Sequence, residues 1–256
     1  MSNTDRVDKE MFNDGGHYLG KPADISDKLI HRRMALTCAV DNFTGKDYDL
    51  VEIGCGNGAT IILLADKMKT CLGLDINNDH EEEFNQLRTQ YKADNCVFKV
   101  CDVEKEETGR QFDRMISFEV IEHLQDDSNV KAYYDMLKPG GLAVFSVPNK
   151  WWIFETHGAS LPLLPWNRVP FFSWLPKPIH ERYANARIYT KKRILNLLET
   201  AGFEILESQY ITAPLDVLKE GSFKRFFTKN IFKNDTTGVP FLSTSIFISA
   251  RKPAEK

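Results

Sequence analysis

Short apolar runs alternate with helical patterns between residues 48 and 149. Each run stops at or beside an acid, a glycine or a proline, which is typical of a buried strand. The predicted strands are 49–53, 71–75, 97–103, 112–119 and 137–149. Strands that alternate with helices favour a parallel sheet. We therefore predict an α/β fold with helices on both faces of a mostly parallel sheet.

The segments outside this alternation complete the predicted organisation. We interpret residues 1–256 as a single domain that begins with a flexible arm at 1–22. A helix is predicted from about Ile25 to Asn42, with Asp24 or Ser26 as its cap. The remaining predicted elements are a helix at 190–201, strands at 203–208 and 244–250, an aromatic insert at 150–186 and a basic amphipathic insert at 214–240.

A glycine-rich loop follows the first predicted strand. Gly54, Gly56 and Gly58 stand at alternate positions directly before the helical pattern that opens at Ala59. Such a loop lets a ligand approach backbone N–H groups closely. Gly54, Gly56 and Ala59 also satisfy the G-x-G-x-x-G/A dinucleotide pattern, so these glycines leave NAD and other nucleotides open. Glu52, at the strand end, favours a cation over a pyrophosphate because its charge would repel phosphate groups.

Acidic residues stand at the ends of further predicted strands. Asp75 ends the second strand, where a carboxylate is placed to accept hydrogen bonds from a ribose diol. Asp102 stands near the end of the third strand. The alternative interpretation of Glu52 and Asp102 is that they cap a helix or a turn.

These features occur together in the order seen in a known family. The loop E-x-G-x-G-x-G at 52–58, Asp75, the segment FEVIEHL at 118–124 and the turn LKPGG at 137–141 resemble the class I S-adenosylmethionine (SAM) dependent methyltransferases. The style is closest to the ubiquinone-pathway O-methyltransferases and the methyltransferase-domain 11/23 group. The resemblance covers about residues 48–148 and resumes in the C-terminal third. It implies a Rossmann-like sheet of seven strands, whose antiparallel last strand lies between strands five and six.

The resemblance also implies which residues hold SAM. The backbone of residues 54–58 would lie against the methionine arm and the ribose. Asp102 and Val103 would contact the adenine, while Phe118 and Glu119 would approach the reacting sulfur. The implied cofactor-binding set is Glu52, Gly54, Cys55, Gly56, Asp75, Ile76, Asp102, Val103, Phe118 and Glu119.

Methyl transfer to a hydroxyl needs a group that takes up the hydroxyl proton. His123, His157 and His180 are the candidates for this role. We select His123 and His180 as the predicted catalytic residues. Each of the three histidines can equally be a packing or surface residue.

The spacing E-x-x-E-H at Glu119, Glu122 and His123 has a second interpretation. On one helical turn these side chains lie close together and offer ligands to a hard divalent ion. The same spacing occurs in the small-RNA 2′-O-methyltransferases, which hold magnesium with a later histidine, and His180 is the counterpart here. It also occurs in the ubiquinone-pathway O-methyltransferases and in metal-free members of the superfamily. We predict SAM without a metal, and keep a divalent ion at these four residues as an option.

The insert at 150–186 contains all four tryptophans, Trp151, Trp152, Trp166 and Trp174. Its prolines exclude a long helix. We predict an irregular lid that selects a small apolar or ring-bearing acceptor, since such segments usually carry specificity. The same aromatic residues, within 151–178, would also suit peripheral contact with a membrane surface.

Composition limits the remaining partners. A net charge of −3 and an isoelectric point near 6.1 argue against binding of long nucleic acids. Five cysteines form no C-x-x-C pair, which favours reduced thiols in a cytoplasmic protein, peripheral to a membrane at most. The polar N-terminus has no signal-peptide pattern, and no apolar run reaches the roughly 18 residues of a membrane span.

We predict a SAM-dependent methyltransferase that O-methylates a small lipophilic or glycan-linked acceptor. Three alternatives stay open at this point. The first is an NAD-dependent oxidoreductase that uses the same glycine-rich loop. The others are a metal-dependent RNA ribose 2′-O-methyltransferase and a non-catalytic SAM-binding protein.

Overall fold

The computed structural model describes residues 23–155, 157–159, 170–215 and 221–254, without the side chain of Phe223. The arm predicted at 1–22 and Trp166 of the predicted lid lie outside the described residues. The predictions made for them stay predictions.

The eight strands of the described residues form one sheet. Their bounds are β1 Gly45–Ile53, β2 Met68–Asp75, β3 Cys96–Val100, β4 Phe112–Phe118, β5 Leu137–Pro148, β6 Glu204–Thr212, β7 Thr236–Thr237 and β8 Ser243–Arg251. The strand order is β3-β2-β1-β4-β5-β8-β6-β7. The α/β fold with a mostly parallel sheet is therefore confirmed.

Two details of the sheet extend the prediction. The last long strand, β8, lies between β5 and β6, as predicted. It runs antiparallel to β5, because Gly140 N–H donates to Lys252 O while Lys252 N–H donates to Gly141 O. The count of eight strands rather than seven arises from β7, two residues that pair antiparallel with β6.

The α-helices of the described residues number seven. They are α1 Lys28–Ala39, α2 Ala59–Leu64, α3 Glu81–Gln90, α4 Val130–Asp135, α5 Lys177–Tyr183, α6 Lys191–Ala201 and α7 Ser222–Asn230. The cap predicted for α1 is wrong. Asp27 takes that position, and its carboxylate accepts from Leu29 N–H at 2.8 Å. The side chain of Asp24 instead accepts hydrogen bonds from Ser26, which closes the turn before the helix.

The chain divides into two compact units. The first comprises Pro22–Ser146, Arg193–Ser208 and Ile248–Lys256, and the second comprises Met1–Lys21, Val147–Lys192 and Gln209–Phe247. In the first unit, β1 pairs in parallel with both β2 and β4, and β2 pairs with β3. Parallel strands end at the same edge of a sheet, so the residues that follow β1, β2 and β4 are brought to one edge.

In the second unit the two predicted inserts share a hydrophobic core. Trp152 packs with Ala213, Leu215 and Phe232, and partly buried rings of Phe154 and Phe227 lie against this cluster. Trp152 is therefore a core residue of the unit, which is the packing role that aromatic residues of an insert commonly have. Helix α5 and the 3₁₀ turn Phe172–Trp174 give the first insert more regular structure than its proline content predicted.

The cysteines and the helices bear on two of the predictions made from composition. The five cysteines are free thiols, and four of them are buried. Within the described residues, no helix combines the length and the apolar character that crossing a bilayer requires.

Gly58 offers a test of the loop that connects β1 to α2. Its φ is +75°, and a Cβ at this position would lie 2.3 Å from Phe84 Cδ2. Gly140 has a similar φ of +77°, and a Cβ there would have no atom of the described residues within 4 Å. We expect Gly140→Ala to lower the free energy of unfolding by about 1 kcal/mol through backbone strain alone. Gly58→Ala should cost about 2–4 kcal/mol, because overlap with a buried ring is added.

Urea unfolding of both variants measures this difference. Equal losses at Gly58 and Gly140 would contradict the argument that Phe84 closes on the loop.

Candidate functional site

The loop after β1 is held in place by the end of β2. Gly54, Gly56 and Gly58 all have left-handed backbones, with φ of +70°, +48° and +75°. Gly54 N–H and Cys55 N–H both donate to the carbonyl oxygen of Leu74, at 2.8 and 3.0 Å. Four of the loop's N–H groups have acceptors within the protein, because Gly56 donates to Asp75 and Gly58 donates to Cys55 O. The loop is thus preorganised by its own contacts, rather than offering a row of bare donors.

Gly56 leaves open space beside the loop. Among the described residues, a Cβ at this position would have only one neighbour within 4 Å, the Cδ2 atom of His80 at 4.0 Å. Any side chain here would extend into the space from which a ligand would approach the backbone. The loop therefore presents a flat backbone surface to a ligand at the carboxyl edge of the sheet.

Asp75 links that loop to the end of β2. Its Oδ2 accepts from Gly56 N–H and its Oδ1 accepts from Ile76 N–H, each at 2.8 Å. Burial raises the pKa of Asp75, and these two hydrogen bonds oppose that effect. Each carboxylate oxygen has a second lone pair, so Asp75 can also accept from a diol. The side chain of Ile76 is 44% exposed and gives an apolar surface beside the carboxylate.

The other two strand-end acids make capping contacts. Glu52 is buried, and its Oε2 accepts from Ile61 N–H in the first turn of α2, at 3.1 Å. Burial raises the pKa of Glu52 well above its ordinary value. Asp102 accepts from Glu104 N–H at 3.0 Å and forms an ion pair with Lys105 at 2.6 Å. These are the contacts that the capping alternative predicts.

Glu119 follows β4 in a left-handed conformation, with φ of +59°. Its Oε1 accepts from Arg33 Nη2 at 2.6 Å and from Ser146 Oγ at 2.9 Å. The Arg33 guanidinium also lies 5.5 Å from the centre of the Phe118 ring. Two of the predicted cofactor residues, Phe118 and Glu119, are therefore brought together around an arginine that the sequence analysis missed. No local pattern pointed to it, because Arg33 and Glu119 are 86 residues apart in the sequence.

Glu122 lies in a 3₁₀ turn, Ile121–His123, and is fully buried. Burial raises its pKa well above the ordinary value, and the neighbouring charge of Glu119 adds to that effect. The side chains of Glu119 and Glu122 are therefore close enough to interact electrostatically. The structure thus places two residues of the optional metal set side by side. Arg33 already balances the charge of Glu119, and that cation would oppose a divalent ion at the same oxygen.

His180, the fourth residue of that set and a predicted catalytic residue, belongs to the second unit. Its Nε2 lies 2.7 Å from Glu155 Oε2, and both side chains are fully buried. The ring of Phe172 lies 5.1 Å from the imidazole, centre to centre. The roles predicted for His123 and His180 stay predictions.

Comparison with known proteins shows the family of the chain. Residues 18–208, well over half of the chain, match the sequence profile of a methyltransferase domain. A probable S-adenosylmethionine-dependent methyltransferase of Mycolicibacterium smegmatis is 31% identical over 180 residues, which cover 70% of this chain and 58% of that protein. A ubiquinone biosynthesis O-methyltransferase of Ruegeria pomeroyi is 29% identical over 161 residues, 60% of this chain and 59% of that protein. The chain thus spans less than two thirds of the length of these curated relatives.

A solved structure supports the fold. An S-adenosylmethionine dependent methyltransferase from Mesorhizobium loti superposes with a TM-score of 0.59 and 18% sequence identity. The match covers 89% of this chain and 100% of that one. At this identity the similarity shows a shared fold only.

Glu52 gives a pH test of the site. Because burial raises its pKa well above 4.5, the native protein keeps a proton that the unfolded chain releases. The free energy of unfolding should therefore fall by up to about 1.4 kcal/mol per pH unit as the pH rises from about 4.5 towards the raised pKa. Glu52→Gln keeps an acceptor for Ile61 N–H and removes this titration, so the variant should gain stability relative to the unmodified protein across that window.

Urea unfolding at several pH values from 5 to about 8 measures the difference. The exposed acid Glu199 supplies a matched control, Glu199→Gln, which should leave the pH profile unchanged. Parallel profiles for the unmodified protein and Glu52→Gln would contradict the assignment of a protonated, buried Glu52.

Proposed function

We propose, because the chain belongs to the class I SAM-dependent methyltransferases, that it transfers a methyl group from SAM to a hydroxyl of a small lipophilic or glycan-linked acceptor. The observation that carries the proposal is the contact between Asp75 and the Gly56 N–H. This contact fixes the position of the glycine loop relative to the Asp75 carboxylate, which can accept hydrogen bonds from a diol. Both lie at the carboxyl edge of a parallel sheet, where nucleosides bind in folds of this kind.

The cofactor residues are proposed as a set. The backbone at 54–58 would hold the methionine arm, Asp75 would accept from the ribose hydroxyls, and Asp102 with Val103 would border the adenine. Arg33 adds a cation beside Phe118 that suits the carboxylate of the methionine arm. SAM supplies a methyl group activated on a sulfonium, so the protein mainly has to hold the acceptor in line and exclude water.

The NAD alternative is less well supported by the loop. A pyrophosphate binds to free backbone N–H donors, and the N–H groups of Gly54, Cys55, Gly56 and Gly58 already have acceptors. The original objection to NAD, the charge of Glu52, loses force because its carboxyl is buried with a raised pKa. The remaining objection to NAD is geometric, because these four loop N–H groups are already hydrogen-bonded within the protein.

An oxygen acceptor is the finer part of the proposal. One of the relatives is named an O-methyltransferase, and a hydroxyl needs its proton removed during transfer. We retain His123 and His180 as the predicted histidines for that step. A divalent ion at Glu119, Glu122, His123 and His180 is the alternative way to activate the hydroxyl.

Product analysis with methyl-labelled SAM tests the function. The acceptors are 3,4-dihydroxybenzoate as a ring-bearing hydroxyl, octyl glucoside as a lipophilic glycoside, and a short RNA. The proposal expects label in an O-methyl ether of one of the first two, retained in excess chelator. Label in RNA that disappears with chelator would favour the ribose methyltransferase, and binding of S-adenosylhomocysteine without any labelled product would favour a non-catalytic protein.

Asp75 provides the matching binding test. Asp75→Ala removes the acceptor of Gly56 N–H and the proposed ribose contact, each a charge-assisted hydrogen bond. Calorimetry should show that S-adenosylhomocysteine binds about 10- to 100-fold more weakly. Asp79→Ala, a nearby acid outside the proposed set, should bind as the unmodified protein does. Unchanged affinity in Asp75→Ala would remove this residue from the site.

We also propose that an exposed aromatic surface of the second unit contacts a membrane. Phe171, Trp174 and Phe241 are 53%, 39% and 45% exposed. Their rings touch in a row, with centres 4.9 Å apart from Phe171 to Trp174 and 5.5 Å apart from Trp174 to Phe241. Lys177, which follows in the same segment, is exposed and lies 3.8 Å from Glu181. Exposed aromatic rings suit the interface of a bilayer.

Liposome sedimentation tests this surface. The double variant Trp174→Ser/Phe241→Ser should weaken binding to phosphatidylglycerol-containing liposomes by about tenfold or more, since each ring contributes roughly 1.5–3 kcal/mol when fully buried. Tyr91→Ser replaces a ring that is 42% exposed in the first unit and serves as control. Equal sedimentation of both variants would leave these rings as ordinary exposed residues.

A further inference from the structure

Helix α7 lies on the core of the second unit through one of its faces. Phe227 packs against the cluster of Trp152, Ala213, Leu215 and Phe232. Phe232, which follows the helix, is buried, and its N–H donates to Phe227 O at 3.0 Å. A helix of 9 residues is marginal on its own, so this packing stabilises α7 and fixes which face is turned outward.

The outward face of α7 combines cations with an exposed aromatic ring. Its residues stand at the spacing i, i+3, i+4 and i+7 of one helix face, and all are exposed: Ser222, Arg225, Phe226 and Lys229. Phe226 is 60% exposed, more than any other large apolar side chain of the described residues. We call these four residues the basic face of α7.

The charge of this segment differs from that of the whole chain. The chain carries a net charge of −3, whereas residues 222–233 contain four cations and no acid. Arg225 and Lys229 belong to the basic face, and the exposed Lys233 follows the end of the helix. The segment is therefore a local positive patch on an acidic protein.

The stability of the helix does not explain these cations. The helix dipole favours acids in the first turn, yet that turn contains Lys224 and no acid. Like charges four residues apart destabilise a helix, and Arg225 and Lys229 stand at that distance. A local arrangement that is unfavourable for the helix itself points to an external anionic partner.

The form of the basic face selects among anionic partners. Cations that flank an exposed phenylalanine suit a bilayer, where the ring enters the interface and the cations contact anionic headgroups. A nucleic acid strand is held in a groove that follows its backbone, whereas these side chains lie on the outer face of a single helix. The bilayer is thus the partner that uses both the charges and the ring.

We propose that the basic face of α7 docks the second unit onto a bilayer that contains anionic phospholipids. The inference rests on the proposed membrane contact of the aromatic row formed by Phe171, Trp174 and Phe241, and deepens it. It adds an electrostatic attraction that the rings alone do not supply. Binding should therefore depend on the charge of the lipid and on the salt concentration.

Vesicle sedimentation with charge variants tests the electrostatic attraction. Arg225→Gln/Lys229→Gln should bind vesicles of equal parts phosphatidylcholine and phosphatidylglycerol about 25-fold more weakly, at roughly fivefold per cation. The control Lys46→Gln/Lys69→Gln changes the net charge equally at exposed positions of the first unit and should bind as the unmodified protein does. Equal losses in both double variants, or a loss in neither, would overturn the proposal.

The ring of Phe226 has its own measurement. Phe226→Ser should weaken binding to the same vesicles about tenfold or more, since the ring loses its exposed apolar surface when it enters the interface. Val97→Ser, at a 53% exposed apolar position of the first unit, should bind as the unmodified protein does. Unchanged binding of Phe226→Ser would remove the ring from the contact and overturn the choice of a bilayer.

Hydrogen exchange locates the contact on the helix. Exchange at the amides of residues 222–230 should become slower when the vesicles are present, while exchange in α3 of the first unit stays unchanged. Exchange in α7 that is unaffected by vesicles which sediment the protein would overturn the assignment to this helix.

Salt and soluble polyanions separate a bilayer from other anionic partners. Raising the salt from about 0.1 to about 1 M shortens the screening length from about 10 to about 3 Å and should release most of the protein from the vesicles. Polyglutamate and oligodeoxythymidine should compete weakly, because neither offers an apolar layer to the Phe226 ring. Tighter binding to either soluble polymer than to the vesicles would overturn the bilayer as the partner.

Comparison with the aromatic-row variant separates the two membrane proposals. If Trp174→Ser/Phe241→Ser releases the protein from the vesicles while the α7 charge variant stays bound, the aromatic row stands and the basic face fails. If the charge variant is released and the ring variant stays bound, the basic face stands and the aromatic row fails. An unmodified protein that does not bind the vesicles would contradict both.

Discussion

The hydrogen bond from the Gly56 N–H to the Asp75 carboxylate is the contact on which the cofactor end of the protein depends. It joins the loop after β1 to the end of β2, so that two neighbouring strand ends act as one rigid edge. The same carboxylate accepts from Ile76 N–H, which fixes its orientation. A ribose would therefore meet an acceptor that needs no rearrangement, and preorganisation of this kind lowers the cost of binding.

The acidic side chains near this edge are either buried, which favours their neutral form, or paired with a cation. Burial raises the pKa of Glu52 and of Glu122 well above the ordinary value, which favours neutral carboxyl groups at both positions. Glu119 keeps a partner in Arg33, at 2.6 Å. In the sequence, Glu52, Glu119 and Glu122 are three acidic residues. In the folded protein, burial favours the neutral form of two of them and Arg33 balances the charge of the third. That balance is compatible with a zwitterionic methionine arm.

Much of the fold was predictable, because the apolar runs and the glycines report directly on backbone geometry. The strands at Leu50–Ile53 and Cys71–Asp75 and the order of β5, β8 and β6 follow from such local signals together with the family resemblance. The contacts of long polar side chains were not predictable. Arg33 reaches Glu119 across 86 residues of sequence, and no local pattern encodes such a distance.

The aromatic insert shows the same limit of prediction from sequence. Composition alone treats Trp152 and Trp174 alike, yet Trp152 is 6% exposed in a core while Trp174 is 39% exposed in a row of rings. The pairing of Glu155 with His180 likewise depends on tertiary packing, since 25 residues separate them.

The most direct test of the central claim is a crystal structure of the protein with S-adenosylhomocysteine. We predict that the ribose hydroxyls lie within hydrogen-bond distance of the Asp75 carboxylate, the amino-acid arm against the glycine loop and the sulfur beside Phe118. Density for the ligand elsewhere, or a ribose that makes no contact with Asp75, would contradict it.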